Sequence, residues 1–238
     1  MEIKAVLFDL DGTLLPMEMD VFIKAYFGGL AKKLAPLGYD PRSLVDSIMK
    51  GTAAMIRNDG SKSNEDVFWD TFNLAVGRDA RKDEPHFASF YENEFQSVRN
   101  VCGFAPMAAE TVRRLREANI PVVLATNPIF PAVATQSRAR WAGLALADFT
   151  LVTTYENIGY CKPNPEYYQE ICRRIGVAPH QCLMVGNDVD DDMIAATLGM
   201  KVFLLDDCLI NSKNADVSAL PHGGFDALNR YLDGLFPS

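Results

Sequence analysis

Positive charge is what this 238-residue sequence lacks: 23 Lys and Arg stand against 31 Asp and Glu, a formal charge of −8. A surface that tracks a nucleic-acid backbone needs the opposite balance, so nucleic acid is excluded as an expected partner. Paired cysteine is also missing. The five cysteines, at 102, 161, 172, 182 and 208, are odd in number and form no CxxC, so neither a disulfide framework nor a zinc site is expected. No apolar run approaches the roughly 20 residues a membrane helix needs, so no membrane association is expected. The start MEIKAVLFDLDG lacks the apolar stretch and cleavage site of a secretory signal. The expected setting is soluble, reducing and cytoplasmic. Histidine is scarce, and His86 and His222 stand isolated, without an assigned role. Repeats and low-complexity tracts are absent.

What is present is apolar residue, 48% of the chain, enough for a substantial core. Five short apolar segments read as buried strands: IKAVLF, PVVLAT, DFTLVTT, QCLMVG and KVFLLD. Stretches with helical spacing at 108–118, 131–141, 165–175 and 190–198 alternate with the later four. That alternation predicts an α/β fold: a central parallel sheet with helices on both faces and ligand sites outside the strands' carboxyl ends. Residues 17–99 break the rhythm. They hold no strand but four amphipathic segments, at 20–36, 41–57, 64–77 and 85–99, with Ser63 and Asp66 resembling a capping-box start. Phe68, Trp69 and Phe72 read as the packed face of one of these helices, and GGFDALNRYLDGLF as a closing helix.

Chemistry concentrates at the predicted strand ends. Residues two apart on an extended chain face the same way, so Asp9 and Asp11 of FDLDGT can address one point. Two carboxylates about 4 Å apart repel by roughly 4 kcal/mol at an effective dielectric near 20. A proton or a hard divalent cation, Mg²⁺ above all, would compensate them; a solvated turn is the alternative. VGNDVDDD places Asn187, Asp188, Asp190, Asp191 and Asp192 after another strand, where an acidic helix start would use the same letters. LATNP ends a third strand in Thr126 and Asn127, which can hold phosphoryl oxygens or simply form a turn. KPNP supplies Lys162, either a solvated loop lysine or a compact cation for Asp9 and an incoming phosphate.

FDLDGT, LATN, KPNP and VGNDVDDD, in that order, resemble the haloacid dehalogenase superfamily. The resemblance covers residues 1–16 and about 100–238. It implies a Rossmann-like three-layer core with the first strand central, and a smaller α-helical cap domain inserted at 17–99. It implies that Asp9 is the nucleophile, forming an aspartyl phosphate, and that Asp11 is the general acid and base. Thr126, with Asn127, would bind phosphoryl oxygens, and Lys162 would anchor Asp9 and the phosphate. The Asp9 side chain and the Asp11 carbonyl would bind Mg²⁺. Asp11 favours phosphate esters, because dehalogenating and phosphonate-cleaving relatives lack an acid there. Relatives commonly have Gly-Asp after the last strand, whereas here Asn187 follows Gly186. Asp188 is therefore favoured as the direct metal ligand, with Asn187 and Asp192 in support. The expected activity is Mg²⁺-dependent hydrolysis of a small phosphorylated substrate, by a monomer or homodimer. A phosphomutase or a non-catalytic binding module built on the same fold are the alternatives.

Overall fold

Ala5–Phe8 (β1) is buried along its whole length because it runs through the middle of a sheet. The computed structural model describes residues 2–236. β1 pairs with Val122–Leu124 (β2) on one side and Cys182–Gly186 (β4) on the other. Leu151–Val152 (β3), Lys201–Leu205 (β5) and His222–Gly223 (β6) complete an all-parallel sheet of order β3-β2-β1-β4-β5-β6.

The pleat divides the core in two. Val6, Phe8, Leu124, Val185 and Phe203 face one side, while Leu7, Val123, Met184 and Leu204 face the other. Pro106–Glu117 (α5) and Phe225–Leu235 (α8) cover the first face with Val112, Leu115, Leu228 and Leu232. Pro165–Ile175 (α7) covers the second with Tyr167, Tyr168 and Ile171. The result is the three-layer α/β core that the alternation of strand and helix predicts.

Between β1 and β2 lie Met19–Leu34 (α1), Pro41–Ile56 (α2), Asn64–Val76 (α3) and Glu84–Glu92 (α4), followed by the 3-10 segment Glu94–Val101. Ser63 caps α3 by accepting from the Asp66 N–H at 3.1 Å. This helical insert is cemented by aromatics, with Tyr26 against Phe90, Tyr91 and Phe95, and Trp69 against Phe72 and Phe87. No helix among the described residues is long and apolar enough to cross a membrane.

Three segments differ from their sequence reading. The helix expected over 85–99 breaks at Asn93, whose side chain donates to the Ser89 carbonyl at 2.8 Å and competes with the backbone ladder. Over 190–198 only Met193–Leu198 is helical, as 3-10, because Asp188 Oδ1 takes the N–H groups of Asp190 and Asp191 into a turn. β6 is two residues long and leaves no period to read.

Within the insert, Asp83 accepts from the Tyr39 hydroxyl at 2.8 Å and pairs with Arg78 at 2.6 Å. Burial pushes the Asp83 carboxyl up, but the Tyr39 and Arg78 donors outweigh it and hold it below the usual carboxylate value. A carboxyl lowered by folding stabilises the fold above its unfolded value and loses that contribution as pH falls through the folded one. Asp83→Asn is therefore expected to cost about 1–2 kcal/mol at pH 7. The deficit should shrink as pH drops below about 3.9. Urea unfolding of both proteins across that range measures it.

Candidate active site

Parallel pairing brings the ends of β1, β2 and β4 to one edge. The Asp9 N–H donates to the Val185 carbonyl at 2.9 Å and the Ala125 N–H to the Phe8 carbonyl at 2.7 Å, so the motif residues leave the sheet side by side. Asp9, Asp11, Thr126, Asn127, Lys162, Asn187, Asp188 and Asp192 all line one cavity of about 350 Å³. Asp191, named at the strand end in the sequence but given no role there, lines it too.

Lys162 is the hub. Its Nζ donates to Asp9 Oδ1 at 2.8 Å and to Asp192 Oδ1 at 2.6 Å, in a setting where the lysine is almost wholly buried. Burial alone would lower its pKa, but Asp192 and Asp9 raise it well above the usual lysine value, so the ammonium stays charged. The Lys162 N–H also donates to Asn127 Oδ1 at 3.3 Å, and Asn127 Nδ2 donates to Asp191 Oδ2 at 3.3 Å. Beneath these loops the hydroxyls of Tyr167 and Tyr168 tie down the carbonyls of Thr126 and Asp191, at 2.9 and 2.6 Å.

Two glycines allow this approach. Gly12 has φ +85°, and a Cβ there would meet Asn187 Nδ2 at 2.3 Å; at Gly186 a Cβ would meet Asp192 Oδ2 at 2.0 Å. Asn187 is bound in place, accepting from Thr13 Oγ1 at 3.0 Å and donating to the Cys208 carbonyl at 2.7 Å. Its amide bridges the first and last motif loops. Asp192 is engaged by Lys162 and by the Asp188 N–H at 3.1 Å. Asp188 differs, because its protein bonds from Asp190 and Asp191 both fall on Oδ1.

Asp11 faces an ion-pair partner that the sequence did not announce. Arg138, on Ala132–Trp141 (α6), is fully buried, pairs with Asp11 Oδ2 and stacks on the Phe130 ring with its guanidinium carbon 4.4 Å from the centroid. Burial pushes the Asp11 carboxyl up to about 6 against the pull of Arg138, with Asp9 adding to the rise. Asp11 Oδ1, by contrast, is buried without a hydrogen-bond partner. The only hint of Arg138 in the sequence is a run of small residues, ATQSRA, whose Ala134, Thr135, Ser137 and Ala139 are all buried around it. Replacing Arg138 by Met leaves a buried carboxylate beside Asp9 uncompensated, with an expected loss of about 3–5 kcal/mol in stability. Chemical denaturation of Arg138→Met at pH 7.5 reads this directly.

The donor set suits a hard dication. Five carboxylates, at 9, 11, 188, 191 and 192, gather around two buried cations, Lys162 and Arg138, which leaves excess negative charge at this end of the cavity. Among the described residues no three His, Cys, Asp or Glu side chains form a metal cluster by themselves. Magnesium asks for less, taking one or two carboxylates and completing its shell with carbonyl, water and substrate oxygens.

A profile of the haloacid dehalogenase-like hydrolases matches residues 3–199. The chain belongs to this hydrolase family. The hydrolase is 29% identical to a phosphoglycolate phosphatase from Rhodobacter capsulatus over 97% of each chain. It is 27% identical to the pyrophosphatase PpaX from Oceanobacillus iheyensis over 80% of this chain and 78% of that one. Its fold matches the crystal structure of a phosphatase of this family from Thermococcus onnurineus, with a TM-score of 0.61 at 21% identity over 98% and 99% of the two chains. It matches a 2-haloacid dehalogenase from Pseudomonas syringae equally well, at 0.62 and 21% over 96% and 99%. The shared fold therefore does not choose between phosphate and halide, and the site must.

Proposed function

We propose that this hydrolase cleaves phosphate monoesters of small metabolites through an aspartyl phosphate on Asp9. The observation that carries the reading is Asp11: one oxygen is gripped by Arg138 and the other is buried, unpaired and beside the cavity that Asp9 lines. Halide departs without a proton, so a dehalogenase has no use for that acid. An alkoxide leaving group does.

In the proposed reaction an Asp9 oxygen attacks phosphorus and the bond to the leaving oxygen breaks. That oxygen takes the proton of Asp11. Water then attacks the phosphorus of the acyl phosphate, gives a proton to Asp11 and releases phosphate, restoring the Asp9 carboxylate. A carboxyl near pKa 6 can serve as acid and then as base close to neutrality. Lys162 holds the nucleophile and faces the phosphoryl oxygens with positive charge, aided by Thr126 and Asn127. Asp9, Asp188 and the carbonyl of Asp11 are the residues that would hold Mg²⁺, which when bound offsets charge between carboxylate and phosphate. Asn187 and Asp192 support them through the bonds described above. Residues 17–99 act as the cap that excludes water, over a core of 1–16 and 100–238.

The test is phosphate release from a panel of sugar phosphates, nucleotides and small acid phosphates. Activity is expected to vanish with a chelator and return with Mg²⁺. Asp188→Ala should raise the Mg²⁺ concentration for half activation at least about 10-fold, while Asn187→Ala should act mainly on stability. Turnover indifferent to chelator would refute the metal assignment.

A further inference from the structure

Among the described residues, two buried side-chain polar atoms lack a hydrogen-bond partner, and both belong to residues lining the same cavity. One is Asp11 Oδ1, at the reacting end. The other is the indole N–H of Trp69, a residue 2% exposed on α3 of the helical insert. The Tyr155 hydroxyl lies close enough to feel that indole but outside hydrogen-bond geometry. Leaving such a donor unmade costs more than making the bond gains, so native proteins leave few of them.

The insert's share of the cavity wall is largely apolar. The insert contributes rings and aliphatic chains such as Phe22, Phe27, Ile48, Phe68 and Phe87. Of its other polar lining groups, the Tyr26 and Tyr91 hydroxyls bond each other at 2.8 Å, which leaves the uncharged hydroxyl of Thr52. Lys162 is the one cation among the described lining residues, and it is already committed to Asp9 and Asp192. A leaving group with its own carboxylate or second phosphate would bury that charge against hydrocarbon and near five acids. The phosphoglycolate of the Rhodobacter relative is such a substrate.

Resting on the phosphatase reading above, we infer that the substrate is the phosphate monoester of an uncharged, largely apolar alcohol carrying one hydrogen-bond acceptor, which Trp69 recognises. The cavity is thus selective by exclusion of charge as much as by attraction.

The test compares kcat/KM for 2-phenylethyl phosphate and 3-methylbutyl phosphate with that for phosphoglycolate, all esters of aliphatic alcohols. Acetyl phosphate, small enough for any pocket, serves as the control for the chemistry. The expected preference for the apolar esters is at least about 100-fold. Next, a set of linear alkyl phosphates in which one CH₂ is replaced by an ether oxygen at each successive position is assayed. One position should gain roughly 3- to 10-fold over the parent alkyl phosphate, a gain that Trp69→Phe removes. Phosphoglycolate turned over as well as the apolar esters, with acetyl phosphate hydrolysed, overturns the substrate class and leaves the phosphatase reading standing. No gain at any ether position, or a gain that survives in Trp69→Phe, overturns the role of the indole. Failure with acetyl phosphate and every ester defeats the phosphatase reading itself, and this inference with it.

Discussion

Asp9→Asn should abolish turnover, lowering kcat by roughly 10⁴- to 10⁶-fold, the scale seen when an enzyme loses its nucleophile. The change keeps the shape of the side chain and removes only its charge and nucleophilicity. Lys162 would retain Asp192 at 2.6 Å, and the crowded carboxylates would lose one member, so the fold should not suffer. The melting temperature is expected to stay level or rise. Equal loss of activity and of folded protein would mean that Asp9 acts as a structural anion, and the proposed chemistry would fail.

Lys162→Met should be the most damaging single change because it harms both fold and chemistry. The lysine is 2% exposed and separates two carboxylates that have no other cation within bonding distance. Removing it leaves Asp9 and Asp192 buried together, a break expected to cost about 3–5 kcal/mol. Phosphate affinity and kcat should fall together, with kcat down at least about 100-fold. The cause can be isolated by a double-mutant cycle. Lys162→Met with Asp192→Asn should recover much of the lost stability but none of the activity, because the surplus carboxylate disappears while the phosphoryl group still lacks its cation. Additive losses in stability would show that the two side chains are not coupled and that the 2.6 Å contact carries little energy.

The sequence shows the strand ends well and the side-chain neighbourhood of the reacting groups poorly. β1, β2, β4 and β5 are legible because a strand buried on both faces needs an apolar run, and polar letters just after it have no packing reason to be there. The two faces of β1 follow from the period of two. Arg138 is not legible in the same way. Its partner lies 127 residues away, and a helix with a buried guanidinium resembles any helix with a solvated one until the chain has folded. The Asn187 departure from the usual Gly-Asp pattern also takes meaning only from its neighbours, since Thr13 and the Cys208 carbonyl are what its amide joins. Phe68 and Trp69 read as a packed helix face, and they do pack on Phe72; the same side chains also line the cavity. Periodicity reports that a face is apolar and says nothing of whether protein or ligand covers it.

The proposed mechanism turns on a covalent bond between Asp9 and phosphorus. Rapid quench of the Mg²⁺-loaded enzyme during turnover, followed by borohydride reduction and peptide mass mapping, converts an acyl phosphate into a stable, position-specific mark. The expected mark lies at residue 9 alone, forms as fast as the first turnover and is absent from Asp9→Asn. Sustained phosphate release with residue 9 unmarked, or with the mark on another carboxylate, would contradict the mechanism.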